Sequence, residues 1–218
     1  MTVVYLVRHS RGNFSRFFIN TKESFQIENE KYILSVEGER KAKKIAKLDE
    51  LKNIDYVVSS NYVRAMSTAK YISHFNNIPL NVDDDFNERK FGVDDIRKIP
   101  QDFFTKQMQY EDYKLENGES RKEVRKRMLN GLAKVMKKNL GKRIVIVSHA
   151  SSISFLLTKW CSVEMIDSKY VIKFKGKEII NGFDSPEVLK LEFNDKHKLV
   201  NICSIKIKYS IRLFYFKI

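Results

Sequence analysis

Two histidines occur in matching contexts. Arg8-His9-Ser10 follows the apolar run Val3 to Val7, and Ser148-His149 follows Ile144 to Val147. A third run, Tyr56 to Val58, leads into Ser59-Ser60, with Arg64 shortly after. Histidine offers a ring nitrogen that can attack or exchange a proton near neutral pH. Arginine offers a fork of donors that matches carboxylate or phosphate oxygens. A lone histidine after a strand, or a lone arginine in a first helical turn, reads as structural or surface. Both types recurring at strand ends point instead to one anion site.

The elements that must position these residues follow from the same pattern. The three runs are rich in Val and Ile and do not alternate with polar residues, as expected of strands buried on both faces. Helical spacing lies between them, over Glu37 to Leu51, Asn61 to Phe75, Ser120 to Lys138 and Ser151 to Lys159. Ser120 and Glu123 predict a capping box, and Gly141 a stop. Strands alternating with helices predict an α/β layer fold, whose ligands bind at the carboxyl ends of parallel strands. Helix N-termini at that edge favour anions. Val188 to Phe193 and Leu199 to Ile207 read as a hairpin around Asn194-Asp195-Lys196.

One domain over residues 1–218 is the simplest organisation, since no linker or repeat interrupts it. An aromatic excursion at about 93–118, containing Phe103, Phe104, Tyr110 and Tyr113, is expected to be a helical lid or substrate wall. The apolar segment Ile211 to Ile218 reads as a further strand or a docking tail. As a strand it could pair two chains into a homodimer.

Composition narrows the function classes. The 43% hydrophobic content suits a globular chain and argues against disorder. Cys161 and Cys203 are the only cysteines, which excludes a disulfide scaffold or a Cys-rich zinc module. The net charge of +14 suits an anionic small substrate, nucleic acid, an anionic membrane, or simply a lysine-rich solvated surface. No long basic run supports nucleic acid, and no apolar stretch of about 20 residues predicts a membrane span. The N-terminus lacks the pattern of a signal peptide, so a cytoplasmic location with reduced cysteines is expected. His74 and His197 lie in polar surroundings and read as surface residues.

Six ordered blocks carry a resemblance. Leu6-Val7-Arg8-His9-Ser10 resembles the Leu-Val-Arg-His-Gly signature of the histidine phosphatase superfamily, to which the phosphoglycerate mutases belong. Leu34-Ser35-Val36-Glu37-Gly38, Ser59-Ser60 through Arg64-Ala65 and Thr68-Ala69, and Glu88 through Phe91-Gly92 resemble its next three. Gly118-Glu119-Ser120 with Glu123, and Val147-Ser148-His149-Ala150, resemble the last two.

The resemblance implies a phosphoglycerate mutase-like fold, a three-layer α/β/α sandwich with a mostly parallel central sheet. It implies a phosphomonoester hydrolase acting on phosphorylated small molecules. His9 would form the phosphohistidine and Arg8 and Arg64 would hold phosphoryl oxygens. His149 would donate a hydrogen bond to the phosphoryl group, and Glu88 would act as general acid and base. No metal or cofactor is implied, and no nucleic-acid or membrane partner is expected.

Departures from the pattern are informative. Ser10 and Ala150 stand where the family has glycine, and each adds a side chain near the expected phosphate. Ser15 occupies the place of a family Asn and could still touch phosphate, with Asn13 nearby. The mutase branch's Trp-Arg-Arg element is missing, which favours a phosphatase. Arg97, Lys98 and Lys106 could present charge to a phosphorylated metabolite. The alternatives are a phosphoglycerate mutase-type transferase, a non-catalytic phosphate-binding relic and a nucleic-acid module.

Overall fold

The apolar runs lie side by side in a six-stranded sheet. The computed structural model describes residues 1–13 and 23–207. The strands are β1 (Thr2–Arg8), β2 (Tyr56–Ser59), β3 (Leu80–Val82), β4 (Arg143–Ser148), β8 (Glu187–Phe193) and β9 (Leu199–Ser204), in the order β3-β2-β4-β1-β8-β9. The pairs β3/β2, β2/β4 and β4/β1 are parallel. The expected hairpin forms the antiparallel edge: β8 pairs with β1, and β9 with β8. The sheet is therefore mostly parallel, as the sequence implies.

Each central strand feeds two cores. Val4, Leu6, Val58, Ile144 and Ile146 face Val124, Met128, Leu132, Ile153 and Leu156, on α5 (Arg121–Lys138) and α6 (Ala150–Leu157). Val3, Tyr5, Val7, Val57, Val145 and Val147 face Ile45, Ala65, Ala69 and Ile72, on α2 (Val36–Ile45) and α3 (Val63–Asn76). Alternate side chains of one strand thus enter opposite apolar layers, which is why these runs contain no polar positions. The result is a helix, sheet, helix stack.

Several boundaries differ from the sequence reading. The helix expected over Glu37 to Leu51 stops at Ile45, and Asp49–Leu51 forms a separate 3-10 turn that carries Leu51 into the core. The second hairpin strand ends at Ser204 rather than Ile207. A short helix α1 (Phe25–Lys31) precedes α2. The predicted capping box at Ser120 and Glu123 is present in both directions.

One substructure escaped the sequence reading. Strands β5 (Ser162–Ile166), β6 (Lys169–Phe174) and β7 (Lys177–Asn181) form a separate antiparallel sheet. Its turns, Asp167-Ser168 and Lys175-Gly176, have φ values of 47°, 61°, 52° and 80°. Two successive left-handed residues make the tight turns that match strand twist. Tyr170, Ile172 and Ile180 anchor this sheet onto the α5/α6 core.

The excursion after Gly92 contains a 3-10 turn, Ile96–Lys98, and one short helix, α4 (Phe103–Gln109). Of its aromatic residues Phe103 is buried while Phe104 and Tyr110 are exposed, and Phe103 and Phe104 lie with Phe91 and Phe155 around the Arg89 guanidinium. Among the described residues, no helix is long and apolar enough to cross a membrane. The segment Ile211 to Ile218 lies outside the described residues.

Candidate active site

The carboxyl ends of β1 and β4 lie adjacent because Arg8 pairs with Ser148 in parallel register. His9 and His149 follow directly, with ring centroids 5.0 Å apart. Arg64, in the first turn of α3, fills the space between them. Its Nε donates to His9 Nε2 at 3.1 Å, and its Nη2 donates to His149 Nδ1 at 3.0 Å. Its Nη1 donates to the Asn29 carbonyl.

These bonds fix both imidazoles. Guanidinium nitrogens only donate, so His9 Nε2 and His149 Nδ1 must accept. His9 Nδ1 then carries the proton and donates to the Ser10 carbonyl at 2.7 Å. The Nε2 lone pair of His9 is left facing the Arg64 side. His149 Nε2 carries the proton and donates to Ser60 Oγ at 2.9 Å. The Ser60 hydroxyl donates its own proton to Asn87 Oδ1 at 2.9 Å, and Asn87 Oδ1 also accepts from the Asn61 N–H. The two rings are opposite tautomers set by one arginine.

Electrostatics keep both rings neutral. Burial pushes His9 well below the ordinary 6.5, and the positive charges of Arg64 and Arg8 push it further. His149 is lowered by burial first and by Arg64 next. Protein atoms surround His9, although one edge of the residue keeps some surface. Arg64 itself is pushed down to about 10 by burial, with Glu88 the largest opposing influence. Tyr62 and Tyr32 stack near its guanidinium at 5.0 and 5.8 Å.

Arg8 sits on the other side of the site. Its Nη1 donates to the carbonyls of Phe183 and Asp184 at 2.8 and 3.2 Å, while its buried Nε has no partner among the described residues. Arg8, Ala150, Lys169, Asn181, Phe183 and Asp184 help line a cavity of about 410 Å³. Ala150 opens α6, with His149 as its N-cap. Glu88 lies close enough to influence both Arg8 and Arg64. Its Oε1 accepts from the Arg89 N–H at 2.9 Å and faces the Ser152 hydroxyl at 3.1 Å. Its Oε2 makes no hydrogen bond among the described residues.

The structure therefore gathers His9, His149, Arg64, Arg8 and Glu88, with Ala150 at the margin. Ser10 turns away: its Oγ donates to the Gly38 carbonyl at 2.7 Å, and its N–H donates to Thr68 Oγ1. The extra side chain does not narrow the site, although it replaces a family glycine. Gly38 lets the backbone at Arg11 come close, since a Cβ there would stand 1.9 Å from the Arg11 carbonyl oxygen. The Asn13 N–H donates to the Ile33 carbonyl, and Ser15 lies outside the described residues.

Two of the three cations expected to meet a metabolite are paired locally. Arg97 is held by Asp95, and Lys106 by Asp102. His74 and His197 are exposed, as expected. Among the described residues, no group of three His, Cys, Asp or Glu side chains could hold a metal ion. Sequence reasoning missed the roles of Asn87, Ser152 and Asn29 in the network. Asn87 stands directly before Glu88, the one signal available in the sequence.

A mostly parallel sheet that sets two imidazoles and a buried arginine at its carboxyl edge defines an α/β protein with its candidate site at that edge. The chain belongs to the histidine phosphatase superfamily (branch 1), whose profile matches residues 4–172. It is 33% identical over 159 residues to the uncharacterized phosphatase PhoE of Bacillus subtilis, covering 73% of this chain and 77% of that protein. It is 26% identical over 224 residues to the probable phosphoglycerate mutase GpmB of Escherichia fergusonii, covering 88% and 100%. Among solved structures, a mycobacterial glucosyl-3-phosphoglycerate phosphatase superposes with a TM-score of 0.68 at 16% identity, covering 95% and 99% of the two chains. An Entamoeba histolytica phosphoserine phosphatase variant bound to phosphoserine superposes with 0.64 at 20%, covering 93% and 96%. At these identities the structural likeness is one of fold.

Proposed function

We propose that this chain is a metal-independent phosphomonoesterase of acid phosphatase type, acting on small phosphorylated metabolites through phospho-His9. The observation that carries the reading is the unprotonated His9 Nε2, fixed by the proton on Nδ1, whose lone pair accepts from Arg64 Nε until a phosphoryl group takes that donor.

In the first step, His9 Nε2 attacks phosphorus and the bond from phosphorus to the ester oxygen breaks. Glu88 gives its proton to the departing oxygen. The proton belongs on Oε2, because Oε1 already faces two donors. In the second step, water attacks phospho-His9, Glu88 takes the water proton, and the phosphorus–nitrogen bond breaks. Inorganic phosphate leaves and His9 is restored.

Arg64 and Arg8 would exchange present partners for phosphoryl oxygens, where their forked donors match the geometry. An arriving dianion would turn Arg64 Nη2 away from His149 Nδ1, and the ring would switch to its other neutral tautomer, gaining a proton on Nδ1 as the Nε2 proton is lost and the Ser60 hydroxyl donates to Nε2. That ring could then donate to the phosphoryl group and stabilise developing charge. The depressed basicity of His9 keeps it a nucleophile in mildly acidic solution, while Glu88 must be protonated for the first step. A neutral His9 is thus compatible with mildly acidic pH.

The cavity beside Arg8 would receive the leaving group, and its size suits a small metabolite. Residues 93–118 act as a fixed wall of the same single domain, held by Phe103 and Phe104 against the Arg89 guanidinium. A mutase activity is the second reading, favoured by the full-length likeness to GpmB. It would move the phosphoryl group between hydroxyls of a phosphoglycerate.

The test is hydrolysis of p-nitrophenyl phosphate under chelator, from mildly acidic to neutral pH, with wild type beside His9→Ala. Chelator-resistant activity that falls by at least about 10⁴-fold in the variant supports the reading. Activity equal in the two proteins sinks it. Net transfer without phosphate release, from a phosphoglycerate in the presence of a bisphosphorylated primer, would favour the mutase.

A further inference from the structure

The Glu88 carboxylate is anchored by few contacts, yet the backbone that carries it is held from both sides. Arg127 rises from α5 and makes a two-pronged pair with Glu119: Nε to Oε1 at 2.7 Å and Nη2 to Oε2 at 2.9 Å. Its remaining donors go to main-chain carbonyls. Nη1 reaches Asp85 O and Asn87 O, both at 2.9 Å, and Nη2 reaches Glu88 O at 3.2 Å.

Glu119 closes the other side. Its Oε2 accepts from the Lys90 N–H at 2.9 Å, and its own N–H donates to the Lys90 carbonyl at 2.9 Å. Gln107 ties the Glu119 carbonyl to the Arg89 guanidinium. Main-chain atoms at 85, 87, 88 and 90 are thus gathered by one largely buried ion pair, with side chains 18% and 19% exposed.

We propose that Arg127, paired with Glu119, is the positioning residue for the proton-transferring Glu88. The inference rests on the reading of Glu88 as the general acid. Proton transfer needs the carboxyl within hydrogen-bond reach of the departing oxygen. The Arg127 fork fixes where the loop places it. Charge alone is not the cause, although Arg127 also lies close enough to act on His149.

Lysine keeps the charge but cannot reproduce five directed donors. The experiment therefore compares Arg127→Lys, Arg127→Gln, Glu119→Gln and Glu88→Gln on p-nitrophenyl phosphate and on an alkyl phosphate. An ester with a good leaving group needs little protonation. The expected result is that Glu88→Gln and both Arg127 variants lose about 10²-fold on the alkyl ester but less than about tenfold on p-nitrophenyl phosphate, the range for a misplaced or missing acid. The double variant Glu88→Gln/Arg127→Gln should lose no more on the alkyl ester than Glu88→Gln alone.

Three results overturn the proposal: full activity in Arg127→Lys, equal losses on both esters in the Arg127 variants, or multiplied losses in the double variant. If Glu88→Gln itself shows no dependence on leaving group, the general-acid reading falls, and this inference falls with it. Should Arg127→Gln fail to fold, Arg127→Lys and Glu119→Gln decide the matter. Glu119→Gln keeps the shape of the pair and must show the same ester dependence.

Discussion

The two sides of the site are held by different physics. On one side, His9, Arg64 and His149 form a packed chain in which Arg64 and His149 have almost no surface. On the other, Glu88 is only partly covered and rides on a loop fastened by side chains behind it. Burial and charge decide protonation in the first region. Backbone anchoring decides distance in the second. A nucleophile needs a defined lone pair, which a dense environment supplies. The role proposed for Glu88 needs contact with water and a firm seat.

That comparison can be broken at Arg64 with the largest effect. Arg64→Lys keeps a cation but cannot donate to both imidazoles and the Asn29 carbonyl at once. Turnover of p-nitrophenyl phosphate should fall by about 10³-fold, as for loss of a preorganised donor to a phosphoryl group. A loss under tenfold would mean that charge matters and the fork does not.

The next effect is on stability. Ser60→Ala removes the acceptor for the His149 Nε2 proton. A buried donor left without a partner costs about 1–3 kcal/mol, measurable as a lower midpoint in urea. An unchanged midpoint would show that His149 adopts the other tautomer at no cost.

A pH series sharpens the same point. Both histidines are held below 6.5, so below that value the unfolded chain binds more protons than the folded one. Their contribution to stability is complete above pH 6.5 and is lost as pH falls toward the folded values. The expected slope is about 1.4 kcal/mol per pH unit for each ring in that window. His9→Asn should remove one ring's share. A flat profile between pH 7 and 5 would refute the neutral, buried pair.

Ser10→Gly should have the smallest effect. The Ser10 hydroxyl bonds to Gly38 and not toward the histidines. Turnover should stay within about twofold, with about 1 kcal/mol lost from stability through that hydrogen bond. A large change in KM would place Ser10 in contact with substrate.

The regular parts of the molecule were legible because their burial is two-sided. Val3 to Val7 and Ile144 to Val147 fit strands buried on both faces, and Ser120 with Glu123 fits the opening of a helix; both form. The catalytic candidates were legible because their spacing matches ordered family blocks. The three-stranded sheet was not, because β6 and β7 do not alternate and one turn is Asp167-Ser168 rather than Asn-Gly. The Lys175-Gly176 turn between Val171 to Phe174 and Lys177 to Ile180 was the signal that could have revealed it. The hydrogen-bond chain through Ser60 and Asn87 joins residues from separate loops, and no local pattern encodes such a meeting.

The position of β1 carries a consequence for how the chain reaches this structure. Val3 lies opposite Arg143 on one side and Glu192 on the other. The strand that delivers Arg8 and His9 therefore has no neighbour close in sequence, and closing those distant pairings sets a high contact order. During refolding, α5 with its capping box can form early, while the catalytic edge waits for β1 to be enclosed. Recovery of enzymatic turnover should then lag behind the return of helical circular dichroism.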